Sequence, residues 1–315
     1  MLIFVLKRLL MSVPTFAIVA VIIFTLVRAL PGDPALMMLG GNIDDEATLA
    51  QMRAQLGLDQ PVPLQFLSWL REVFSGNLGT SILTGQEVSA LLLQRFSVTA
   101  TVVLLAMAAA LLVSVPAGLL AAHRHNSRTD YAIVLLTILK LSMPSFWVGL
   151  MLLVLFGALL GWLPTVGFVS LSDDLGRGMM YLILPVTSLA LSEIAVLTRM
   201  MRAGSLEVMG KDYITHARAK GLPERQVLWR HVFPNAFAPA LTMVGIMLAG
   251  LLAGAAVTET VFTLPGLGKL LVDSIYARDY PVLQGALLFI AAVYVLTNLA
   301  IDIAYSFFDP KVRLT

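Results

Sequence analysis

Six long apolar stretches dominate this chain and constrain its fold more than any other feature. They lie near residues 9–30, 98–122, 131–158, 180–201, 236–258 and 284–306. A hydrocarbon core about 30 Å thick is crossed by roughly 20 helical residues, so each stretch can span it. Lipid offers the backbone no hydrogen-bond partners, and the stretches lack the apolar–polar alternation of barrel strands. The sequence therefore predicts an all-α membrane protein with about six transmembrane helices.

The composition supports a membrane protein and excludes several kinds of activity. Charged residues make up 13% of the chain, against about 25% in soluble domains. Cysteine is absent, so no disulfide, thiolate nucleophile or thiolate metal site can form. The net charge of +2 is too small to suggest nucleic acid as a partner. No recognisable catalytic motif or metal-ligand spacing is present, so we expect neither catalytic residues nor a metal site.

The basic residues predict the orientation in the membrane. If the N-terminus is cytoplasmic, most lysines and arginines fall on the cytoplasmic side, as the positive-inside rule requires. Both termini are then cytoplasmic. The first stretch is expected to stay uncleaved because it is too long for the apolar core of a signal peptide. The cytoplasmic set is Lys7, Arg8, Arg124, Arg128, Arg199, Arg202, Lys211, Arg218, Lys220, Arg225, Arg230, Lys311 and Arg313.

This topology divides the chain into segments. In the external part, an amphipathic helix is expected from Ile43 to Leu58, and Pro61 breaks it before a further apolar run. We read this part as a small folded cap. The expected divisions are an N-terminal transmembrane helix at 1–30, the external cap at 31–97, a membrane core at 98–306 and a cytoplasmic tail at 307–315.

The polar segment 199–235, between the fourth and fifth stretches, is expected to be folded rather than loose. Ser205 and Asp212 are candidate helix N-caps. Residues 213–220 favour two helical turns, and Gly221 suits the left-handed conformation that ends a helix.

A second short helix is expected to begin after Pro223 and to end near Phe233, since Pro234 disfavours a helical residue before it. The result is a rigid helix–turn–helix at the inner membrane surface. Such an element could transmit force from a moving partner, or it could be an amphipathic loop whose arginines bind anionic lipid. The residues themselves leave both interpretations open.

The same segment carries a family resemblance. From Asp212 to Gly221 it reads Asp-Tyr-x-x-x-Ala-Arg-Ala-Lys-Gly, which resembles the EAA loop of ABC-importer permeases. Ala217, Gly221 and Pro234 stand at the matching spacing. The general motif has other residues at four positions, occupied here by Thr215, His216, His231 and Phe233.

The Asp-Tyr form of the loop is typical of the dipeptide, oligopeptide and nickel permease branch. Other segments are similar to the same branch, so the resemblance covers nearly the whole chain. They are 28–34, 56–61, 142–147, 259–262, 265–268 and 278–281.

The resemblance implies a type I ABC importer permease fold and a non-catalytic transport subunit of the bacterial inner membrane. Such a subunit forms half of a translocation path for dipeptides or oligopeptides, or for nickel in the alternative. It binds no cofactor itself, because ATP and magnesium belong to two ATPase subunits. A homologous second permease subunit and a periplasmic or lipid-anchored solute-binding protein complete the assembly. The ATPase-coupling residues implied are Asp212, Thr215, His216, Ala217, Arg218, Ala219, Lys220, Gly221, Leu222 and Pro234.

Polar residues inside the spans are candidates for the translocation path. Lys140 and Glu193 are ionisable, and Ser142 lies beside Pro144, which can kink the third helix. A lysine–acid pair within the bundle, or an ion pair of Glu193 with Arg199, is the structural alternative. A proton-coupled secondary transporter using Lys140 and Glu193 is the rival function, and an intramembrane enzyme ranks last.

Two glycine-containing segments are also open to more than one interpretation. Gly266-Leu267-Gly268-Lys269 lacks the spacing of a phosphate loop and is expected to be an external turn. In the fifth stretch, Gly245, Gly250 and Gly254 permit close helix approach, either within this chain or to a second subunit.

Overall fold

The computed structural model describes residues 2–29, 35–36, 46–55 and 58–308. These residues are almost entirely helical, apart from loops and one isolated bridge between Thr80 and Glu87. The predicted features at residues 30–34, Ile43, residues 56–57 and the tail from residue 309 lie outside the described residues.

Thirteen helices are described, two of them continued by a π-helical turn. The segment between the first and second apolar stretches holds α2 and α3, and the segment from α8 to α9 joins the fourth and fifth apolar stretches. The helices are α1 (Leu2–Ala29), α2 (Glu46–Gln55), α3 (Val62–Phe74), α4 (Val88–His123), α5 (Arg128–Leu141), α6 (Ser145–Leu152, continued as a π-helix over Leu153–Leu159), α7 (Leu175–Met209), α8 (Asp212–Ala219), α9 (Glu224–Val227, continued as a π-helix over Leu228–Val232), α10 (Phe233–Gly254), α11 (Ala256–Val261), α12 (Leu267–Ala277) and α13 (Tyr280–Phe308).

Helices α4 and α7 form the centre of the bundle, and they run parallel. In the first halves of the two helices, Val98 and Val102 share one apolar cluster with Leu182 and Leu184. Near their last turns, Gly118 lies against the α7 backbone, where a Cβ would stand 2.5 Å from the Cβ of Met201. Parallel packing requires the chain between them to return to the opposite end of the bundle.

That return is made by α5 and α6, which are bent by 98° at residues 142–144. By length and composition, five helices could cross a membrane, and the bent pair could be either a sixth span or a re-entrant loop. A re-entrant loop would leave α4 and α7 antiparallel, so the bent pair is one broken span. The predicted kink at Pro144 is therefore confirmed, and the bundle has six passes among the described residues.

The two outermost spans, α1 and α13, pack antiparallel. Ile23 and Val27 at the end of α1 share a cluster with Tyr280 and Leu283 at the start of α13. The beginning of α1 and the end of α13 therefore lie at the same end of the bundle as the α8–α9 segment.

The segment between α1 and α4 is attached to the bundle at two places. Phe66 and Trp69 of α3 pack on Phe24 of α1, with ring centroids 5.2 and 5.6 Å away. The buried Asp279 carboxylate, just before α13, accepts hydrogen bonds from the Ser81 hydroxyl (2.5 Å) and the Ile82 N–H (3.2 Å). Pro61 begins α3 as its N-cap, and the apolar run behind it is helical.

Candidate functional site

The hairpin, residues 212–234, has the backbone geometry that its sequence predicts. α8 ends at Ala219, and Gly221 has φ +78°. The Gly221 N–H donates to the Arg218 carbonyl (2.9 Å) and the Leu222 N–H to the Ala217 carbonyl (3.4 Å). These two bonds form a Schellman motif, in which a left-handed residue satisfies the last helical carbonyls. The predicted role of Gly221 as a helix stop is confirmed.

Three predicted helix boundaries around the hairpin are wrong. Ser205 is not an N-cap, since it is fully buried inside α7, which continues to Met209. Asp212 is not an N-cap either, because it is the first residue of α8 and Lys211 occupies the N-cap position. The second helix also does not end before Pro234. A π-helical turn over Leu228–Val232 leads directly into α10, and the Phe233 N–H donates to the Leu228 carbonyl five residues back. This wider turn accommodates a proline that lacks an N–H and crowds the carbonyl four residues before it.

One side of the hairpin is part of the core of the bundle. Ile214 is fully buried and Ala217 is 7% exposed, and Val227 and Val232 are buried with them. They share a single apolar cluster with Leu119 of α4 and with Met201 and Val208 of α7. Burial of this apolar surface stabilises the packing by roughly 25 cal/mol per Å². Because packed interiors transmit displacement, the hairpin and the ends of both helices should move together.

The other side of the hairpin is uncovered. Its exposed residues combine positive charge, small side chains and the aromatic rings of Tyr213 and Trp229, a surface suited to a protein partner. No described residue of this chain covers them. They are Asp212, Tyr213, Thr215, His216, Arg218, Ala219, Lys220 and Gly221 on α8 and the turn, and Pro223, Arg225, Trp229, Arg230 and Pro234 beyond it, with Lys211 exposed just before α8.

An ion pair closes the turn between the two hairpin helices. Arg218 donates from Nη2 to Glu224 Oε1 (2.7 Å) and from Nε to Oε2 (3.2 Å). The Glu224 carboxylate thereby raises the pKa of the Arg218 guanidinium. His123, the last residue of α4, places Nδ1 3.6 Å from Glu224 Oε1. The turn is thus held both to itself and to α4.

The structure separates the predicted coupling residues into two groups. Ala217 faces the core and Leu222 is half-buried, so both stabilise the hairpin from within. Pro234, the second residue of α10, is exposed. The remaining predicted residues lie on the uncovered side.

The predicted path residues gather at the broken span. Lys140 donates from Nζ to the Ser192 hydroxyl (2.9 Å), beside Glu193 on α7. Pro144 is the N-cap of α6, and Ser142 is exposed at the bend. Lys140 and Glu193 interact electrostatically, although no described contact joins Glu193 to Lys140 or to Arg199 as an ion pair within 4.0 Å. The lysine–acid pair therefore stays open as the structural alternative.

The Gly266–Lys269 segment is the start of a helix rather than only a turn. Gly266 is the N-cap of α12. The fully buried Glu259 carboxylate accepts from the Lys269 N–H (2.8 Å) and from the Thr99 hydroxyl (2.5 Å), and Thr99 accepts from the Leu267 N–H (2.8 Å). A side chain at Gly266 would overlap Glu259. The glycines therefore make room for a carboxylate cap.

A second ion pair lies at the hairpin end of the bundle and was not predicted. Asp130 in the first turn of α5 is 1% exposed and accepts from Arg202 of α7, Nε to Oδ1 at 2.6 Å and Nη2 to Oδ2 at 2.7 Å. The Asn126 N–H also donates to Oδ2 (3.0 Å). The residues are 72 apart in sequence, and the only sequence signal was a single acid within a basic segment.

Comparisons with known proteins place this chain in a family. Residues 114–314 match the model described as "Binding-protein-dependent transport system inner membrane component". Residues 1–106 match the corresponding N-terminal model, "Binding-prot-dependent transport system membrane comp, N-term".

Relatives match over nearly their full length. A Brucella abortus protein named as a peptide transport system permease protein is 42% identical over 98% of both chains. The oligopeptide transport system permease protein AppB of Bacillus subtilis is 38% identical, over 98% of this chain and 99% of the relative. The di/tripeptide transport system permease protein DppB of Pseudomonas aeruginosa is 38% identical over 99% of both.

Among solved structures, an amino acid ABC transporter with histidines is 17% identical with a TM-score of 0.48, covering 71% of this chain and 94% of that one.

The six-pass helical bundle, the two family matches and the full-length relatives define a multi-pass inner-membrane permease. The chain belongs to the family of binding-protein-dependent transport system inner membrane components.

Proposed function

We propose that this chain is the transmembrane subunit of an ATP-driven importer of dipeptides or oligopeptides and forms half of its translocation path. In this proposal the hairpin is the seat for a separate ATPase subunit, and ATP is bound and hydrolysed there rather than on this chain. Both termini are then cytoplasmic, on the side of the hairpin. A second permease subunit and a solute-binding protein complete the importer.

One observation carries this proposal: the hairpin packs against α4 and α7 on one side and is uncovered on the other. A displacement applied at Thr215 or Lys220 cannot be absorbed locally, because Ile214 and Ala217 are locked among core residues of both long helices. This is the property required of a handle through which a partner moves the bundle.

The solute class rests on the relatives, whose names refer to peptides, oligopeptides, di- and tripeptides and glutathione. Nickel is the less favoured alternative. A proton-coupled transporter would need neither the uncovered hairpin nor an external binding protein, so membership of a binding-protein-dependent family favours the ATP-driven importer.

Gly221→Val tests the coupling role. At φ +78° a β-branched residue is strained, by roughly 1–2 kcal/mol, although open space surrounds the position. The variant should insert and assemble, hydrolyse ATP, and lose most labelled-peptide uptake. Gly76→Val is the matched control, because Gly76 has φ +83° and the same open space but lies beside the external α3. Normal uptake by Gly221→Val would contradict the proposal.

A further inference from the structure

The Asp130–Arg202 ion pair lies next to the hairpin and has no role in the proposed function. Arg202 grips both carboxylate oxygens of Asp130 in a two-bond fork. His125 Nδ1 lies 3.3 Å from Asp130 Oδ2 and 3.2 Å from Arg202 Nη2. Ser127 caps α5 by accepting from the Asp130 N–H. Every one of these contacts converges on the short turn between α4 and α5.

That turn connects three moving parts. His123, which immediately precedes it at the end of α4, contacts Glu224 of the hairpin. Asp130, which follows it in the first turn of α5, is bound to Arg202 of α7. From Asp130, α5 runs without interruption to the bend at residues 142–144, next to the proposed path residues Lys140 and Ser142.

We propose that Asp130 and Arg202 are positioning residues for coupling, an inference that rests on the proposed function. Their ion pair fixes α5 to the end of α7, so that a displacement of the hairpin reaches the broken span. Without the pair, α4 and α7 still follow the hairpin through their apolar packing, whereas α5 keeps its Lys140–Ser192 hydrogen bond near the bend but loses its attachment at the hairpin end. The bend beside the path then fails to open and close with the ATPase.

The geometry favours a mechanical role over a purely stabilising one. A buried ion pair generally stabilises a fold little more than apolar residues of similar size. A bidentate guanidinium–carboxylate fork, however, fixes relative orientation as well as distance. Orientation is what a helix needs in order to follow its neighbour rather than slide along it.

The test compares Asp130→Asn, Arg202→Lys and the exchange Asp130→Arg/Arg202→Asp in the complete importer reconstituted in vesicles. Both ATP hydrolysis and labelled-peptide uptake are measured, and the readout is peptide imported per ATP hydrolysed. Asp273→Asn is the control, since it removes an exposed carboxylate from an ion pair with Lys269 at the other end of the bundle.

We expect Asp130→Asn to keep ATP hydrolysis and to lower the peptide imported per ATP by about tenfold, which is a typical size for coupling between two sites. The exchange should recover part of that loss, and Asp273→Asn should lose nothing. Unchanged import per ATP in assembled Asp130→Asn overturns the inference. If Asp130→Asn does not assemble, Arg202→Lys decides, because it keeps the charge but loses the fork: a lowered ratio supports the inference and an unchanged ratio overturns it. A wild-type importer that shows no ATP-driven uptake refutes the proposed function instead.

Discussion

The Arg218 guanidinium clasps both carboxylate oxygens of Glu224 across the turn at Gly221, at 2.7 and 3.2 Å. The two residues stand on different helices of the hairpin, so the clasp fixes the angle between α8 and α9. Because His123 also reaches Glu224, the same carboxylate joins the hairpin to the end of α4.

Glu224→Gln is expected to weaken coupling much more than stability. Arg218 and Glu224 are partly exposed (41% and 36% of the side chain), and exposed pairs contribute about 0.2–1 kcal/mol. Thermal unfolding in detergent should therefore change little, while peptide uptake by the complete importer falls. Asp273→Asn, which breaks an exposed pair at the opposite end, should leave uptake unchanged. Equal peptide uptake by Glu224→Gln and Asp273→Asn would show that the Arg218–Glu224 ion pair does not contribute to transport.

Glu259→Gln is expected to destabilise the fold itself. The glutamine oxygen can accept only one of the hydrogen bonds that the two carboxylate oxygens now accept, so the Lys269 N–H or the Thr99 hydroxyl loses its partner. A buried unsatisfied group costs about 1–3 kcal/mol. Thermal unfolding of the purified chain should shift downward by clearly more than in Asp273→Asn. Identical unfolding curves for the two variants would be inconsistent with the capping role of Glu259.

Two glycines should respond in opposite ways. Gly118→Val should prevent stable folding, because a Cβ there would meet Met201 and the α7 backbone. Gly250→Val should fold normally, since nothing lies within 4 Å of a Cβ at that position. If this face of α10 contacts the second permease subunit, Gly250→Val should lower co-purification of that subunit. Co-purification at the wild-type level would indicate that this face of α10 contacts lipid instead of the second permease subunit.

Gly245, by contrast, packs within the chain. A Cβ there would stand 2.6 Å from side-chain atoms of Ile301 on α13. The two alternatives weighed for the glycines of the fifth stretch therefore apply to different residues, internal packing to Gly245 and an open face to Gly250.

The sequence was informative where local physics decides the structure. Long apolar runs predict spans because lipid forces the backbone into helices. Gly221 predicts a helix stop because glycine adopts the left-handed conformation without steric cost. Pro144 predicts a kink because proline fixes φ and lacks an N–H donor. The Ser205 prediction failed because capping preference is a local effect of about 1 kcal/mol, whereas the packing of Met201 and Val208 against α4 and the hairpin extends α7 through that position.

The ion pairs could not be predicted for a different reason. Arg202 and Arg218 both belong to the basic residues that the positive-inside rule explains without any partner. Which of them meets an acid depends on the parallel packing of α4 and α7 and on the bend at Pro144. A single sequence contains no information on such pairings between distant residues.

The most direct test of the account is cross-linking from the hairpin in the complete importer. The chain contains no cysteine, so a single Thr215→Cys carries a photo-reactive label at one defined place on the uncovered side. Tyr276→Cys, at a residue 85% exposed on the external α12, is the matched control. We predict that the label at residue 215 captures the ATPase subunit and the label at residue 276 does not. Capture of the ATPase from residue 276, or none from residue 215 in an importer that takes up peptide, would contradict the account.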